Sequence, residues 1–207
     1  EYKSYLETIT LYGEGEILQT AVLELQSGIQ AMLGFESEIK TEENMRNGIV
    51  IGTAEAIDPH LLPEKIQSLK TDGFFIEDIT GKDSSRLLLV GQSEKGVLYG
   101  VFHLLRQLQR RRSLKGMSIV ENPVNELRMI NHWDNMDGSI ERGYAGNSIF
   151  YHDYQITEDK ERIQDYARLL ASVGINAISI NNVNVHPEAM HLITEKYLGE
   201  VANIAAI

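Results

Sequence analysis

LRMINHWDNMDGSIERGYAGNSIFYHD, residues 127–153, decides how the rest of the chain is read. It starts as a short apolar strand over 127–130, expected to be buried, and turns into a long polar loop. The loop holds Trp133, the only tryptophan of the 207 residues, with Asp134, Asn135, Asp137, Glu141 and Arg142 within nine positions of it. An aromatic face ringed by hydrogen-bonding and ionisable groups, just past a strand end, suits a sugar site. The ring packs on the apolar face of a pyranose while the polar groups orient its hydroxyls. The plainer alternative is a tryptophan capping a core, with solvated charges around it.

Downstream, Thr157 opens a helix with acids in its first turn, where the helix dipole favours them. Ile163, Tyr166, Ala167, Leu170 and Val173 form its apolar face, and Gly174 ends it. A second strand follows at 177–180, then the polar segment 181–186, then an amphipathic helix from Pro187 that carries Tyr197, Leu198, Val201 and Ile204. Strands joined by helices in this way form parallel βαβ units, and ligand groups collect at strand C-terminal ends. The loops 132–141 and 181–186 should therefore share one rim. The connection from Trp133 to Ile156 is about 24 residues, long for a strand-to-helix loop and read as functional.

Upstream lies a different pattern. Residues 14–33 carry apolar side chains three and four apart, with Gly34 placed to cap a helix. A weak strand precedes it at 7–11. GIVIGT (48–53) reads as a buried strand, and Pro63 can start a short helix to about Leu69. Strands at 74–79 and 86–91 should pair as an antiparallel hairpin across a turn-rich gap. Ser93 caps a helix running to about Gln109, in which Gly96 and Gly100 would allow close packing on a sheet. Arg110–Arg112 are cations suited to its C-terminal end. A short strand at 118–120 precedes Asn122-Pro123, a turn signal placed at a domain boundary. The expected organisation is an α/β domain over 1–124 and a βα-type domain over 125–207.

A net charge of −11 argues against a phosphate-backbone partner, and an acidic ligand would need a local cation, of which Arg142 is nearest to the tryptophan in sequence. With no cysteine there are no disulfides or thiolate metal sites, which fits a reducing compartment and favours a cytoplasmic location. No run of about 18 apolar residues is present, so no membrane span is expected. Asp134, Asp137 and Asp153 lack the spacing of a cation loop, and His132, His152, His186 and His191 lack that of a zinc pair. No metal and no cofactor are expected. Asp134, Asp137 and Glu141 are the nearby carboxylates available for acid–base work, but glycosidase pairs need a defined separation that loop neighbours do not guarantee.

INHWDNMDGSIERGYAGNSIF (130–150) closely resembles the motif that opens the catalytic domain of α-glucuronidases of glycoside hydrolase family 67. SEKGVLYGVFHLLRQL (93–108) is similar to a helix of the accessory domain that precedes the barrel in that family and in β-hexosaminidases. SINNVNVH (179–186) looks like its second barrel strand and loop. The resemblance implies an α/β fold: a small α/β accessory domain followed by the first two βα units of a (β/α)8 TIM barrel. It implies inverting hydrolysis of the α-1,2 bond between 4-O-methylglucuronic acid and the terminal xylose of xylo-oligosaccharides, by a glutamic acid and carboxylate bases without a metal. Trp133 matches the family's sugar-pocket tryptophan, and Val183 a residue beside the uronic acid and its O-methyl group. With Asp134, Arg142 and Asn182 they make the expected substrate-binding set. The family's catalytic carboxylates come from later barrel strands, so the expectation is an inactive N-terminal piece of the parent enzyme. Its expected partners are glucuronic-acid-substituted xylo-oligosaccharides, with no nucleic acid, no membrane, and a homodimer as candidate assembly of the parent. A non-catalytic carbohydrate-binding or interaction module is the rival reading, and a separate glycosidase activity using Asp134 or Glu141 is a third.

Overall fold

A computed structural model describes residues 2–40, 46–181 and 186–207. The chain divides into two compact units, Glu1–Glu126 and Leu127–Ile207.

The first unit runs α1 (Tyr2–Leu6), β1 (Thr8–Tyr12), α2 (Glu16–Leu33), β2 (Glu38–Lys40), β3 (Asn47–Thr53), two 3-10 turns (Pro59–Leu61 and Glu64–Ser68), β4 (Phe74–Asp78), β5 (Ser85–Gly91), α3 (Glu94–Gln109) and β6 (Ser118–Glu121). Its six strands lie in the order β2-β1-β3-β5-β4-β6. The first four are parallel, and β4 is antiparallel to both β5 and β6. The expected hairpin is present, with Phe74 opposite Gly91 and Asp78 opposite Leu87. Central strands β3 and β5 are near-continuous apolar runs because both of their faces are covered.

The two-residue period of the strands sorts the side chains onto two layers. Ile49, Ile51, Ile76, Leu87 and Leu89 face α1, α2 and α3. Val50, Phe75, Leu88 and Val90 face the segment of 3-10 turns, against Ile57, Leu61, Leu62, Ile66 and Leu69. The helix expected from Pro63 is thus a 3-10 turn, and it forms the thinner of the two layers. Gly34 ends α2 in the left-handed conformation at φ 75°, with its N–H on the Gln30 carbonyl. The Ser93 hydroxyl accepts the Gly96 N–H at the start of α3. Gly96 and Gly100 do permit close approach: a Cβ on Gly96 would sit 2.5 Å from the Gly73 carbonyl oxygen, and one on Gly100 3.0 Å from Leu89.

Asp78 ties the end of β4 to its surroundings. Its carboxylate accepts the Gly116 N–H at 2.7 Å, the Thr80 N–H at 3.0 Å, the Thr80 hydroxyl, and the Tyr5 hydroxyl at 3.3 Å. Burial pushes its pKa up, but the bonds from Gly116, Thr80 and Tyr5 together outweigh this and hold it below the ordinary 3.8. A depressed carboxyl pKa adds stability above the unfolded value and loses it as the pH falls through the folded one. Asp78→Asn is therefore expected to unfold at lower denaturant than the wild type at pH 7. The gap should close as the pH falls below 3.8, and urea titrations at the two pH values check it.

The second unit runs β7 (Met129–Asn131), β8 (Tyr151–His152), β9 (Gln155–Ile156), α4 (Lys160–Ser172), β10 (Ala177–Ser179), a 3-10 turn (Pro187–His191) and α5 (Leu198–Ala205). Strands β7 and β10 pair in parallel, Met129 opposite Ala177 and Asn131 opposite Ser179, with α4 between them in the chain. This is the expected βαβ unit, and the described residues contain no closed barrel. Two expectations change. The strand expected over 127–130 is β7 at Met129–Asn131 and is exposed rather than buried, with Met129 50% and Ile130 37% accessible, since β10 is its one partner strand among the described residues. The helix expected from Pro187 is broken into the 3-10 turn and α5. Between them, the Thr194 hydroxyl bonds the His191 carbonyl, and Glu188 accepts the Tyr197 hydroxyl at 2.7 Å and pairs with Lys196. The core of this unit is Met136, Phe150, Tyr151, Ile163, Leu192 and Tyr197. Three of the six come from the long polar loop, which is therefore packed structure.

Candidate functional site

The site grows out of β7. Asn131 is the last residue paired with β10, and the His132 N–H still donates to the Ser179 carbonyl at 3.2 Å. From there the chain forms a small hairpin. Asp134 bridges Ile140, the Glu141 N–H donates to the Trp133 carbonyl at 2.9 Å, and the Asn135 N–H to the Ser139 carbonyl at 2.8 Å. The Asn135 side-chain amide bonds the Ser139 hydroxyl and the Glu141 carbonyl, closing the turn from inside. Gly138 takes φ 95°, and Glu141 is left-handed at φ 58° despite its side chain.

Extended backbone alternates its side chains. His132 points in, Trp133 out, and Asp134 in again. Trp133 is 39% exposed, while Asp134 is 2% exposed. The His132 ring lies edge-on to Phe150 and to Tyr166 of α4, with centroids 5.1 and 5.3 Å away. Its Nε2 shares a 2.7 Å hydrogen bond with the Tyr166 hydroxyl, and its Nδ1 is 3.4 Å from Asp134 Oδ1. That last contact is in ion-pair range without hydrogen-bond geometry. Neither Asp134 Oδ1 nor the buried Tyr151 hydroxyl has a hydrogen-bond partner among the described residues. Burial, and then the nearby Asp134 carboxylate, push the phenols of Tyr151 and Tyr166 up.

The rest of the loop returns through Ser148, whose hydroxyl accepts the Phe150 and Tyr151 N–H groups. It ends in the β8–β9 hairpin, a two-residue turn with Asp153 at φ 48° and Tyr154 at φ 62°. Two positive φ values make this the primed turn that matches strand twist, here without glycine. Tyr154 is held by the Tyr197 hydroxyl on its carbonyl at 3.0 Å and by its ring 4.9 Å from His186.

Of the residues expected at the site, Trp133 and Arg142 are exposed, and Arg142 forms no ion pair among the described residues. Asp134 is enclosed beneath Trp133. Asn182 and Val183 lie outside the described residues. Residues 182–185 of the second loop lie outside the described residues; His186, which follows them, is near enough for its charge to act on Asp137. Hydrogen bonds from the Ser139 hydroxyl and N–H, more than His186, hold the Asp137 carboxyl below the usual range. A general acid for glycoside cleavage needs the opposite shift. Among the described residues, no group of three His, Asp or Glu side chains could hold a metal ion. Sequence reasoning missed the contacts that join Asp134, His132 and Tyr166, since Tyr166 reads only as part of an apolar helix face.

The model of the glycosyl hydrolase family 67 N-terminus matches residues 1–104, and that of the family 67 middle domain matches residues 107–207. The chain belongs to glycosyl hydrolase family 67. It is 40% identical over 183 residues to a protein of Aspergillus fumigatus named "Probable alpha-glucuronidase A", covering 87% of this chain and 21% of that one. It is 35% identical over 205 residues to the alpha-glucuronidase A of Emericella nidulans, covering 92% and 23%. This family 67 chain thus spans about a fifth of the length of these curated relatives. Two solved structures share its fold: a GH138 enzyme targeting pectin rhamnogalacturonan II, with TM-score 0.56, 17% identity, and 84% of this chain and 18% of that one covered; and a GH115 4-O-methyl-alpha-glucuronidase with specificity for decorated arabinogalactans, with TM-score 0.55, 17% identity, and 84% and 24% covered.

Proposed function

We propose that this family 67 chain is part of an α-glucuronidase that releases 4-O-methylglucuronic acid from xylo-oligosaccharides by inverting cleavage of the α-1,2 bond. Its share of the work is one wall of the sugar pocket. The observation that carries this reading is Trp133, held facing outward at the rim while both of its neighbours are tied down beneath it. Its ring offers a stacking surface for a pyranose. Arg142 offers a guanidinium for the uronic acid carboxylate, which the overall charge of −11 would otherwise repel. Asn182 and Val183 would join from the loop after β10, beside the uronic acid. The barrel that the βαβ unit begins would be completed by chain from elsewhere in the parent.

The chemistry then falls to carboxylates that this chain does not supply. An inverting reaction needs an acid on the leaving oxygen and a base holding water on the opposite face, roughly 6.5–9.5 Å apart. Among the described residues of the loop, Asp134 is buried, and hydrogen bonds from Ser139 hold the Asp137 carboxyl below its ordinary range, the opposite of what a general acid needs. A preparation of the 23.3 kDa chain is expected to release no 4-O-methylglucuronic acid from short aldouronic acids. Release at that mass would overturn the assignment of the acid and base to other parts of the parent.

A further inference from the structure

Asp134 sits next to the sugar platform, yet its carboxylate is inside the protein, and a group that touches sugar has to be reachable. The carboxylate is 2% exposed. Its Oδ1 accepts no hydrogen bond among the described residues, and the polar group that faces it is the imidazole of His132, 3.4 Å away. The other nitrogen of that imidazole is bonded to Tyr166 on α4 at 2.7 Å. The ring between them is clamped edge-on by Phe150, which is fully buried. Both neighbours of Trp133 are therefore anchored to the core, while its own side chain faces out.

The backbone at Trp133 is anchored as well. The Trp133 carbonyl accepts the Glu141 N–H on the hairpin side, and the His132 N–H reaches Ser179 of β10 on the other. Rotation about this short stretch is left to the side chains, and the inward pair sets how the outward ring stands. A displacement of about 1 Å at a positioning residue is enough to cost roughly a hundredfold in a well-aligned site. We propose that Asp134 is a positioning residue: with the half-buried His132 and Tyr166 it forms a chain of contacts that sets the attitude of the Trp133 ring, and it does not itself contact the sugar. The consequence for sugar binding rests on the reading of Trp133 as the platform; the positioning itself does not.

Trp133 is the only tryptophan, so fluorescence anisotropy and acrylamide quenching of the 207-residue chain report on it alone. Asp134→Asn and Tyr166→Phe are each expected to lower the anisotropy and raise the quenching constant, with an unchanged far-UV spectrum. Tyr166→Phe keeps the ring and its packing, and so carries the test if Asp134→Asn does not fold. Because both act through one imidazole, the double variant should go no further than the larger single one. Each should weaken binding of an aldouronic acid roughly tenfold, through the displaced ring. Weakened sugar binding with unchanged anisotropy and quenching would make Asp134 a direct contact and overturn the proposal, as would additive effects in the double variant. If the wild-type chain binds no aldouronic acid, the pocket reading fails, and the anisotropy comparison still decides the positioning role.

Discussion

Trp133→Ala is expected to remove most of the sugar binding proposed for the parent enzyme, by about 2–4 kcal/mol for loss of a central aromatic anchor, roughly 30- to 1,000-fold in affinity. The ring is 39% exposed and belongs to no buried cluster, so the change leaves the second unit's core intact. Thermal unfolding should shift by no more than about 0.5 kcal/mol, the usual range for a surface position. A large binding loss with small stability loss separates a platform from a core cap, the plainer reading of this tryptophan. Trp133→Phe should recover part of the loss, since a smaller ring still offers a stacking face. Calorimetric titration with an aldouronic acid measures it, because the variant removes the fluorophore. A binding constant within twofold of wild type, or a stability loss on the scale of a core residue, would remove Trp133 from the pocket.

The largest stability effect is expected in the first unit, at Phe75. It is fully buried on the face of β4 opposite α2 and α3, among Val50, Ile57, Leu88 and Val90. The Lys65 ammonium lies 5.3 Å from its ring centroid, over the 3-10 turn. This layer is made of turns and loop rather than helix, so few side chains can move in to fill a void. Phe75→Ala should destabilise by about 3–5 kcal/mol, the transfer and cavity cost of a large aromatic. A Phe on the helix-covered face offers a comparison. Phe74 is 7% exposed and packs on His103 and Gly100 of the long helix α3. Denaturant titration of both alanine variants measures the difference. A loss below about 1 kcal/mol at Phe75 would mean that the thin layer collapses onto the sheet or contributes little.

Most of the first unit was legible from pattern alone. The run GIVIGT and the run RLLLVG are apolar on both faces because each becomes a central strand with a layer on either side. Helix α3 was legible at both ends, through Ser93 at its start and the arginines after its close. Its glycines were legible for their purpose, since a helix lying on a sheet needs small residues at the contact. The segment after Pro63 is a 3-10 turn in place of the expected helix, because five residues satisfy one turn of either kind and packing against β4 and β5 selects the tighter one.

In the second unit the balance is different. Periodicity revealed α4 and the parallel strands, and motif likeness brought out Trp133 and the family. Neither could place the interior of the long loop. Met136, Phe150 and Tyr151 are scattered among polar residues, and a loop has no period that assigns a side chain to inside or outside. Asp134 and Trp133 are adjacent and both look suited to a sugar. The local chemistry of those residue types is the part the amino-acid sequence by itself determined, along with the longer strands and helices and the family, while α1, β2, β8 and β9 carry too short a pattern to be read. Only the tertiary structure decided which of the two faces out, because that depends on where Tyr166 of α4 and the Phe150 ring meet His132, contacts that span 34 and 18 residues of chain.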